Sequence, residues 1–269
     1  MSDAQRPTVE PGLVSVIVPA LDEAETIGEV IARLCEQPFP KEVLVIDDGS
    51  RDETAAAARR AAEGRPEVRI HQSPINLGKG TAVRIGYALA RGGILAIQDA
   101  DLELDPGDLT RLVRMFDDPA VEAVYGSRFL QPGYTCKRRH RLANAGLSWL
   151  TSTLYGSPIS DMETCYKLFR RDVIERLRLE STRFEFEPEV TAKVLRLGVE
   201  IHEAPISYQA RSVAQGKKIG WRDGVEAVAT LVRWRLAPWQ RIVRRPGERR
   251  DLGPLPDPAP LSPGAATRT

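Results

Sequence analysis

Residues 14–25 read VSVIVPALDEAE, and this stretch sets the expectation for the fold. Its first five residues are mostly apolar and β-branched, which is typical of a strand buried on both faces. Pro19 ends that run, and apolar residues then recur at helical spacing from Ile27 to Leu34. Asp22, three residues before Glu25, predicts an acidic form of the helix-capping box. The stretch is therefore predicted to form a buried strand, a short loop and an amphipathic helix.

The same order of strand, loop and helix continues to residue 100. Residues 42–50 read EVLVIDDGS, residues 68–71 are a short third strand pattern, and residues 94–101 read ILAIQDAD. Ser50 and Glu53 predict a second capping box. This alternation with short connections predicts an α/β fold, with a mostly parallel central sheet and helices on both faces. Ligands bind such sheets outside the carboxyl ends of the strands, so the polar loops after strands one, two and four are expected to share one crevice.

The second half of the chain has a less regular pattern. Strands are predicted at residues 121–125, 165–169 and 199–204, and helices at about 106–115, 142–155, 188–197 and 221–236. The predicted organisation is a flexible N-terminus over residues 1–12, a single domain over residues 13–240, and a disordered tail over residues 246–269. The tail is rich in Pro, Gly, Ser, Thr and Ala, and it has too few large apolar residues to form a core.

The composition is typical of a soluble globular protein. The 269 residues are 42% hydrophobic and 28% charged, with a formal net charge of +1. No apolar run approaches the roughly 20 residues that span a bilayer, and residues 1–12 lack the apolar core of a signal peptide. Three cysteines without paired spacing fit reduced thiols, so a cytoplasmic location is expected. The charge is uneven: residues 95–108 carry only acidic charges, whereas residues 211–250 are strongly basic.

Acidic side chains and one lysine stand at the predicted strand ends. Asp99 and Asp101 follow a buried strand, where two carboxylates are costly unless a partner such as a divalent cation stabilises them; a solvated strand exit is the alternative. Asp48 is placed to accept hydrogen bonds from a ribose or a base. Lys79, between two glycines at a predicted helix start, offers an ammonium and backbone amides to an anion. A flexible loop with a solvated lysine is the alternative for that segment.

Four motifs occur in a fixed order along the chain. They are SVIVPALDE at 15–23, VIDDGSRDET at 45–54, NLGKG at 76–80 and DAD at 99–101. Together they resemble the family 2 inverting glycosyltransferases of the GT-A fold, over roughly residues 13–236. The branch to which they are most similar is the polyprenyl-phosphate (dolichol-phosphate) mannose or glucose synthases. The resemblance implies a Rossmann-like nucleotide-sugar-binding half over 13–101 and an acceptor half over 102–240.

The resemblance also implies roles for individual residues on the donor side. The nucleotide base pocket is lined by Pro19, Ala20 and Glu23. Asp48 binds the base or ribose, and Lys79 lies near the nucleotide and supports Asp48. Asp99 faces the ribose or the sugar. Asp101 binds Mg²⁺ or Mn²⁺ on the donor diphosphate, with Glu103 as a further possible metal ligand.

On the acceptor side, Gly126-Ser127-Arg128 resembles the branch's Gly-Ser-Arg, whose arginine binds the acceptor phosphate. Within the basic run 137–141, Arg141 is the preferred second phosphate ligand, and a basic surface loop is the alternative. Arg211 and Lys217 lie in a segment that resembles the mobile loop reaching the donor diphosphate. The resemblance thus gives catalytic roles to Asp99, Asp101, Arg128 and Arg211.

Residues 161–167 depart from the pattern of the branch, which marks a variant subfamily. Asp161 or Glu163 would act as a general base if the acceptor is a hydroxyl, whereas a phosphate acceptor needs none. The alternative is a turn that buttresses the site.

The predicted helix 221–236 carries an apolar row and many arginines. The row is Val225, Val228, Ala229, Val232 and Leu236. It is interpreted as a face packed on the core. The alternative is a basic amphipathic helix with tryptophans that lies on an anionic membrane, and both hold if one end is exposed.

The function predicted from these features is metal-dependent, inverting transfer of one hexose from GDP-mannose or UDP-glucose to a polyprenyl phosphate. Without a membrane span, such an enzyme would touch the inner face of the cell membrane peripherally or bind an integral membrane partner. One alternative keeps the donor but uses a soluble hydroxyl acceptor, such as a glycan or a metabolite. Another is a non-catalytic nucleotide-sugar-binding protein. No nucleic-acid partner is expected, because no known binding module is evident.

Overall fold

The computed structural model of the chain describes residues 7–136, 138–210, 221–245 and 248. Seven strands form one sheet in the order β3-β2-β1-β4-β6-β5-β7. The strands are β1 (Glu10–Ala20), β2 (Lys41–Asp47), β3 (Val68–Gln72), β4 (Gly92–Ile97), β5 (Ala123–Ser127), β6 (Lys167–Arg170) and β7 (Ile201–Pro205). The helices are α1 (Ile27–Cys35), α2 (Thr54–Ala62), α3 (Lys79–Leu89), α4 (Gly107–Arg114), α5 (Arg138–Tyr155), α6 (Arg171–Arg176), α7 (Phe186–Arg196), α8 (Trp221–Leu236) and α9 (Trp239–Ile242).

The α/β prediction with a mostly parallel sheet is confirmed. β1 pairs in parallel with β2 and β4, β2 with β3, and β5 with β7. Only β6, among the described strands, runs antiparallel to its neighbours, β4 and β5. The buried runs of β1 and β2 form the centre of the core, as their continuous apolar sequence indicated.

β1 begins at Glu10, inside the segment that was predicted to be a flexible N-terminus. The amide of Glu10 donates to the carbonyl of Arg91 (2.9 Å), and Glu10 pairs with Gly92 at the start of β4. Backbone pairing with β4 therefore extends the strand beyond the apolar run that marked it in the sequence. The predicted tail 246–269 lies outside the described residues, except for Glu248.

Both predicted capping boxes are wrong. α1 begins at Ile27 and α2 at Thr54, and neither helix has a side-chain cap. Ser50 Oγ instead accepts from the amide of Asp22 (3.0 Å), and Asp22 Oδ1 accepts from the amide of Arg51 (2.8 Å). The two loops follow the adjacent parallel strands β1 and β2, so the nearest backbone donor for each side chain is in the other loop. These bonds hold the two loops side by side above the sheet.

The apolar row predicted to pack α8 on the core is exposed instead. α8 buries Ala227, Leu231 and Trp234, which lie on a different face. Lys193 Nζ of α7 lies 3.5 Å from the centroid of the Trp234 ring, and Arg196 donates to the Trp234 carbonyl (2.8 Å). These contacts from α7 determine which face of α8 turns inward. The exposed row includes Val225, Val228, Val232 and Leu236.

Candidate active site

The loops after β1, β2 and β4 meet at the carboxyl end of the sheet, as expected. The amide of Asp48 donates to the carbonyl of Ala20 (2.8 Å), and Thr26 Oγ1 donates to the carbonyl of Ala100 (2.9 Å). Thr26 also lies within hydrogen-bond distance of the Glu23 carboxylate (3.2 Å). Pro19 and Ala20 are the last residues of β1, so the residues predicted to line a base pocket lie beside Asp48. Their role toward a base remains a prediction.

Asp48 holds the loop that precedes α3. Its Oδ1 accepts from the amide of Leu77 and its Oδ2 from the amide of Gly78, both at 2.8 Å. Burial raises the pKa of the Asp48 carboxyl, against the opposing effect of these two hydrogen bonds. The support that the resemblance implied for Asp48 thus comes from backbone amides of residues 77 and 78.

Lys79 makes a different contact from the predicted one. Its Nζ lies 3.0 Å from Asp99 Oδ1 and 2.9 Å from Glu187 Oε1, between two carboxylates. Burial would lower the pKa of Lys79, but the charges of Asp99 and Glu187 raise it well above its usual value. The pKa of Asp99 is lowered although burial opposes this, because Lys79 and the Cys165 thiol stabilise its charged form. Lys79 is therefore a fixed cation at the crevice.

Asp101 and Glu103 lie close together just past β4. Asp101 Oδ1 accepts from the amide of Glu103 (3.2 Å), and Glu103 Oε2 accepts from the Tyr208 hydroxyl (2.7 Å). Both side chains are partly exposed. In the described part of the chain, no three His, Cys, Asp or Glu side chains converge as a metal site. Carboxylate oxygens suit Mg²⁺ or Mn²⁺, and one or two carboxylates are the usual protein share when substrate phosphates and water complete the shell. The residues therefore fit a cation that is held jointly with a diphosphate.

Arg128, which is partly exposed, forms an ion pair with the buried Asp161. Nε and Nη2 of Arg128 donate to the two carboxylate oxygens of Asp161, each at 2.7 Å, and the Arg128 amide adds a third bond (3.0 Å). This bidentate pair leaves three of the five guanidinium N–H groups for other acceptors. Because both carboxylate oxygens of Asp161 bind Arg128, the structure favours the buttressing alternative for Asp161 over the role of general base.

Glu163, unlike Asp161, has a carboxylate oxygen that is not held by an arginine. Its Oε1 is buried, with no hydrogen-bond partner among the described residues. Burial raises the pKa of Glu163 to about 7, with Glu187 and Asp161 adding to the increase and Lys167 and Arg128 opposing it. A carboxyl with this pKa is suited to proton transfer near neutral pH.

The other predicted basic residues are less well defined by the structure. Arg141 is exposed on α5, one turn before Asn144, whose side chain donates to the Ser160 carbonyl (2.9 Å). Arg141 thus lies on the helix that packs next to Asp161, and its phosphate role remains a prediction. Arg211 and Lys217 lie outside the described residues.

Several residues of the crevice were not identified from the sequence. Tyr208 lies with its ring centroid 5.1 Å from Arg128 Cζ, and Tyr134 packs edge-on against it at 6.0 Å between centroids. Glu187 and Cys165 contact the Lys79–Asp99 pair. Glu187 and Tyr208 lie far from the motifs in sequence, so only the fold could place them there.

The fold and the side chains at the crevice indicate which ligands the site suits. A mostly parallel sheet has acidic side chains, a fixed lysine and a paired arginine at one crevice, and this arrangement suits a nucleoside diphosphate, a cation and an anionic group.

The chain belongs to glycosyl transferase family 2, whose model matches residues 15–178, and it is a glycosyltransferase. It is 30% identical to an undecaprenyl-phosphate mannosyltransferase of Micrococcus luteus, over 87% of this chain and 99% of that protein. It is 28% identical to the glycosyltransferase AglD of Haloferax volcanii, over 86% of this chain but only 39% of that protein.

Among solved structures, the fold is similar to glucosyl-3-phosphoglycerate synthase from Mycobacterium tuberculosis, in a complex with Mn²⁺, UDP and glucosyl-3-phosphoglycerate. The TM-score is 0.64 with 20% identity, over 84% of this chain and 81% of that chain. This likeness confirms the GT-A fold that the sequence motifs implied. No helix among the described residues is both long and apolar enough to cross a bilayer.

Proposed function

We propose that this enzyme transfers one hexose from GDP-mannose or UDP-glucose to a polyprenyl phosphate, with inversion at the anomeric carbon. The undecaprenyl-phosphate mannosyltransferase, which matches nearly end to end, supports the acceptor class. The Mn²⁺ and UDP in the synthase complex support a nucleotide-sugar donor that binds with a divalent cation. A cytoplasmic location is part of this proposal.

The donor side of the crevice supports cleavage of the bond between the sugar and the diphosphate. Asp101 and Glu103 would hold Mg²⁺ or Mn²⁺, which neutralises the charge of the departing diphosphate. Lys79 is held between Asp99 and Glu187, so its ammonium offsets part of their negative charge beside the diphosphate and needs no reorganisation during the reaction. Asp48 fixes the loop 77–78 next to the predicted base pocket.

The acceptor side supports an ionised phosphate as nucleophile. Asp161 orients the Arg128 guanidinium, and the remaining N–H groups suit phosphate oxygens. A phosphate oxygen is already ionised, so its attack on the anomeric carbon requires no base.

One observation carries the lipid part of the proposal: two neighbouring helices expose large apolar side chains. α5 exposes Leu142 and Trp149, and α8 exposes Val225, Val232 and Leu236. The helices contact each other through Tyr155 of α5, whose hydroxyl donates to the Leu231 carbonyl of α8 (2.7 Å). Exposed apolar area of this kind marks an interaction surface, and we propose that it contacts the membrane that contains the acceptor.

A soluble hydroxyl acceptor is the second candidate, and Glu163 favours it. A hydroxyl nucleophile must lose a proton, and a carboxyl whose pKa is about 7 is suited to accept it. The complex of the similar synthase contains glucosyl-3-phosphoglycerate, which is not a lipid.

A transfer assay with extraction decides between the two acceptors. The protein is incubated with labelled GDP-mannose or UDP-glucose, Mn²⁺ and undecaprenyl phosphate, and the product is extracted into butanol. Label in the organic phase supports the proposal. If Glu163→Gln then retains the rate, the phosphate mechanism stands. In a parallel reaction, phosphoglyceric acid, which another complex of the similar synthase contains, replaces undecaprenyl phosphate. A labelled sugar conjugate in the aqueous phase that Glu163→Gln abolishes would establish the hydroxyl acceptor instead.

Two variants test the site assignments in the same assay. Asp101→Ala is expected to lower metal-dependent turnover by about a hundredfold or more, because the protein's hold on the cation is lost. Arg128→Lys retains the charge but not the bidentate fork, so it should raise the KM of the acceptor about tenfold while the donor KM stays within about twofold. Arg33→Ala, on the exposed end of α1, is the control for a lost surface arginine. Unchanged turnover in Asp101→Ala would overturn the metal assignment.

A further inference from the structure

The segment after β7 crosses the acidic residues that follow β4. Tyr208 forms an isolated antiparallel bridge with Leu104, and the amide of Gln209 donates to the carbonyl of Glu103 (2.8 Å). The amide of Ser207 donates to Asp108 Oδ2 (2.6 Å). These contacts hold residues 207–209 against residues 103–108, next to the proposed cation site.

The side chain of Tyr208 contacts both sides of the crevice. Its hydroxyl donates to Glu103 Oε2 (2.7 Å), and its ring centroid lies 5.1 Å from the Cζ atom of Arg128. Asp161 pairs with Arg128 in turn. A continuous series of contacts therefore runs from Glu103, on the cation side, through Tyr208 to the Arg128–Asp161 pair, on the acceptor side.

We propose that Tyr208 is a positioning residue that couples cation binding at Glu103 to phosphate binding at Arg128. This inference rests on the proposed function, because it takes Glu103 as a cation ligand and Arg128 as a phosphate ligand. A cation bound by the Glu103 carboxylate interacts with the same group that orients the Tyr208 hydroxyl. The Tyr208 ring lies in turn against the Arg128 guanidinium, so a shift of Tyr208 reaches the phosphate side. We take the coupling to be favourable, and because linkage is reciprocal, a cation that strengthens phosphate binding is itself bound more tightly when the phosphate is present.

Two substitutions separate the contacts of Tyr208. Tyr208→Phe removes the hydroxyl that reaches Glu103 but keeps the ring beside Arg128. Tyr208→Leu removes both contacts. Tyr134→Phe is the matched control, because Tyr134 packs on the Tyr208 ring and loses only a hydroxyl of its own in that variant.

The first measurement is Mn²⁺ binding in the presence of UDP, followed by the electron paramagnetic resonance signal of free Mn²⁺. This readout needs neither an acceptor nor turnover. Tyr208→Phe should weaken Mn²⁺ binding about tenfold, because a charge-assisted hydrogen bond that orients the carboxylate is lost. Tyr134→Phe should bind Mn²⁺ like the wild type. Wild-type affinity in Tyr208→Phe would overturn the link between Tyr208 and Glu103.

The second measurement is the calorimetric affinity for decyl phosphate, a lipid-phosphate probe, with and without Mn²⁺ and UDP. In the wild type, Mn²⁺ and UDP should increase the affinity for decyl phosphate by about fivefold or more. In Tyr208→Phe, they should increase that affinity by less than about twofold. Tyr208→Leu should bind the probe weakly under both conditions.

The outcomes distinguish this inference from the proposed function. Wild-type protein that binds decyl phosphate equally well in both conditions overturns the coupling alone. Wild-type protein that does not bind the probe at all overturns the phosphate site of the proposed function, and the coupling falls with it.

Discussion

At the scale of single residues, Lys79 and Arg128 at the crevice each pair with a carboxylate from a distant part of the chain. Lys79 pairs with Asp99 and also with Glu187, and Arg128 pairs with Asp161. The motifs identified Lys79, Asp99 and Arg128 in the sequence, but they did not indicate these pairings. Which carboxylate meets which cation depends on how the strands are ordered in the sheet, and that order is not contained in any one motif.

Removal of the Lys79 ammonium leaves two neighbouring carboxylates without their cation. We expect Lys79→Met to destabilise the protein by about 3 kcal/mol, because breaking one side of a largely buried pair leaves an uncompensated charge. The double variant Lys79→Met/Glu187→Gln should recover part of that loss, since it also removes one of the carboxylates. The free energy of unfolding in urea measures both effects. A loss below about 1 kcal/mol in the single variant would contradict the pairing.

Glu42 should make stability depend on acidic pH. Burial would raise the pKa of this carboxyl, but hydrogen bonds from Ser15, Arg91 and Arg69 outweigh burial and lower the pKa. The folded state therefore binds the Glu42 proton less readily than the unfolded chain does. The stabilisation is complete above the unfolded pKa of about 4.3 and is lost as the pH falls through the folded pKa.

The variant Glu42→Gln removes this titrating group. It should cost about 2 kcal/mol at pH 7 and show a shallower loss of stability below pH 4 than the wild type does. Glu29→Gln, in an exposed i,i+4 pair with Arg33, should change stability by only about 0.5 kcal/mol. Urea unfolding at several pH values measures the difference, and parallel pH curves for Glu42→Gln and wild type would contradict the assignment.

At the scale of elements, the sequence predicted the positions of the strands that continuous apolar runs mark. β1, β2 and β4 lie where such runs occur, because buried parallel strands must be apolar on both faces, whereas the edge strand β3 alternates apolar and polar residues. The sequence did not predict the antiparallel direction of β6, since direction depends on the long connection before the strand. It also assigned the wrong face of α8 to the core. α8 has apolar residues on two faces, and only the contacts from α7 decide between them.

The loop before α3 requires glycine at residue 78 for two reasons. Gly78 has a φ of +93°, and a Cβ atom there would lie 2.4 Å from the carbonyl oxygen of Thr182. Gly78→Ala should therefore move the loop whose amides bind Asp48, and it should raise the donor KM about tenfold or more. Gly64 is the matched control, because its φ is +72° but no atom lies within 4 Å of its Cβ position.

Gly64→Ala should thus cost about 1 kcal/mol of stability from backbone strain alone and leave the donor KM unchanged. Steady-state kinetics with varied donor, together with urea unfolding, measure both variants. An unchanged donor KM in Gly78→Ala would show that the loop does not position the nucleotide.

At the scale of the whole molecule, one sheet joins the two predicted halves. β4 of the donor half pairs directly with β6 of the acceptor half, and the Arg171 side chain donates to the carbonyls of Ala90 and Gly92. The crevice is therefore built from both halves at once. Sequence motifs predicted the donor half in more detail, because its predicted ligand-binding residues directly follow strands that are close together in the sequence. The acceptor half depends instead on contacts between distant segments.

The exposed apolar row of α8 gives the molecule one surface that is suited to a membrane. Val9, just before β1, is a suitable control for Val232 of this row, because their exposed fractions are 44% and 40%. If the row enters the boundary between head groups and acyl chains, Val232→Glu loses apolar burial and adds a charge that anionic lipids repel. The two effects together should weaken binding to phosphatidylglycerol vesicles on the order of 30-fold, whereas Val9→Glu should weaken it only about fivefold through its charge.

Co-sedimentation with vesicles of graded phosphatidylglycerol content measures both variants. Vesicles without anionic lipid remove the charge repulsion, so only the loss of apolar burial distinguishes the variants. Val232→Glu should therefore still bind these vesicles more weakly than Val9→Glu does. Equal binding of the two variants on neutral vesicles would mean that the α8 row does not insert. The exposed face of α8 would then serve another partner, and the proposed acceptor would have to reach Arg128 without this surface on the bilayer.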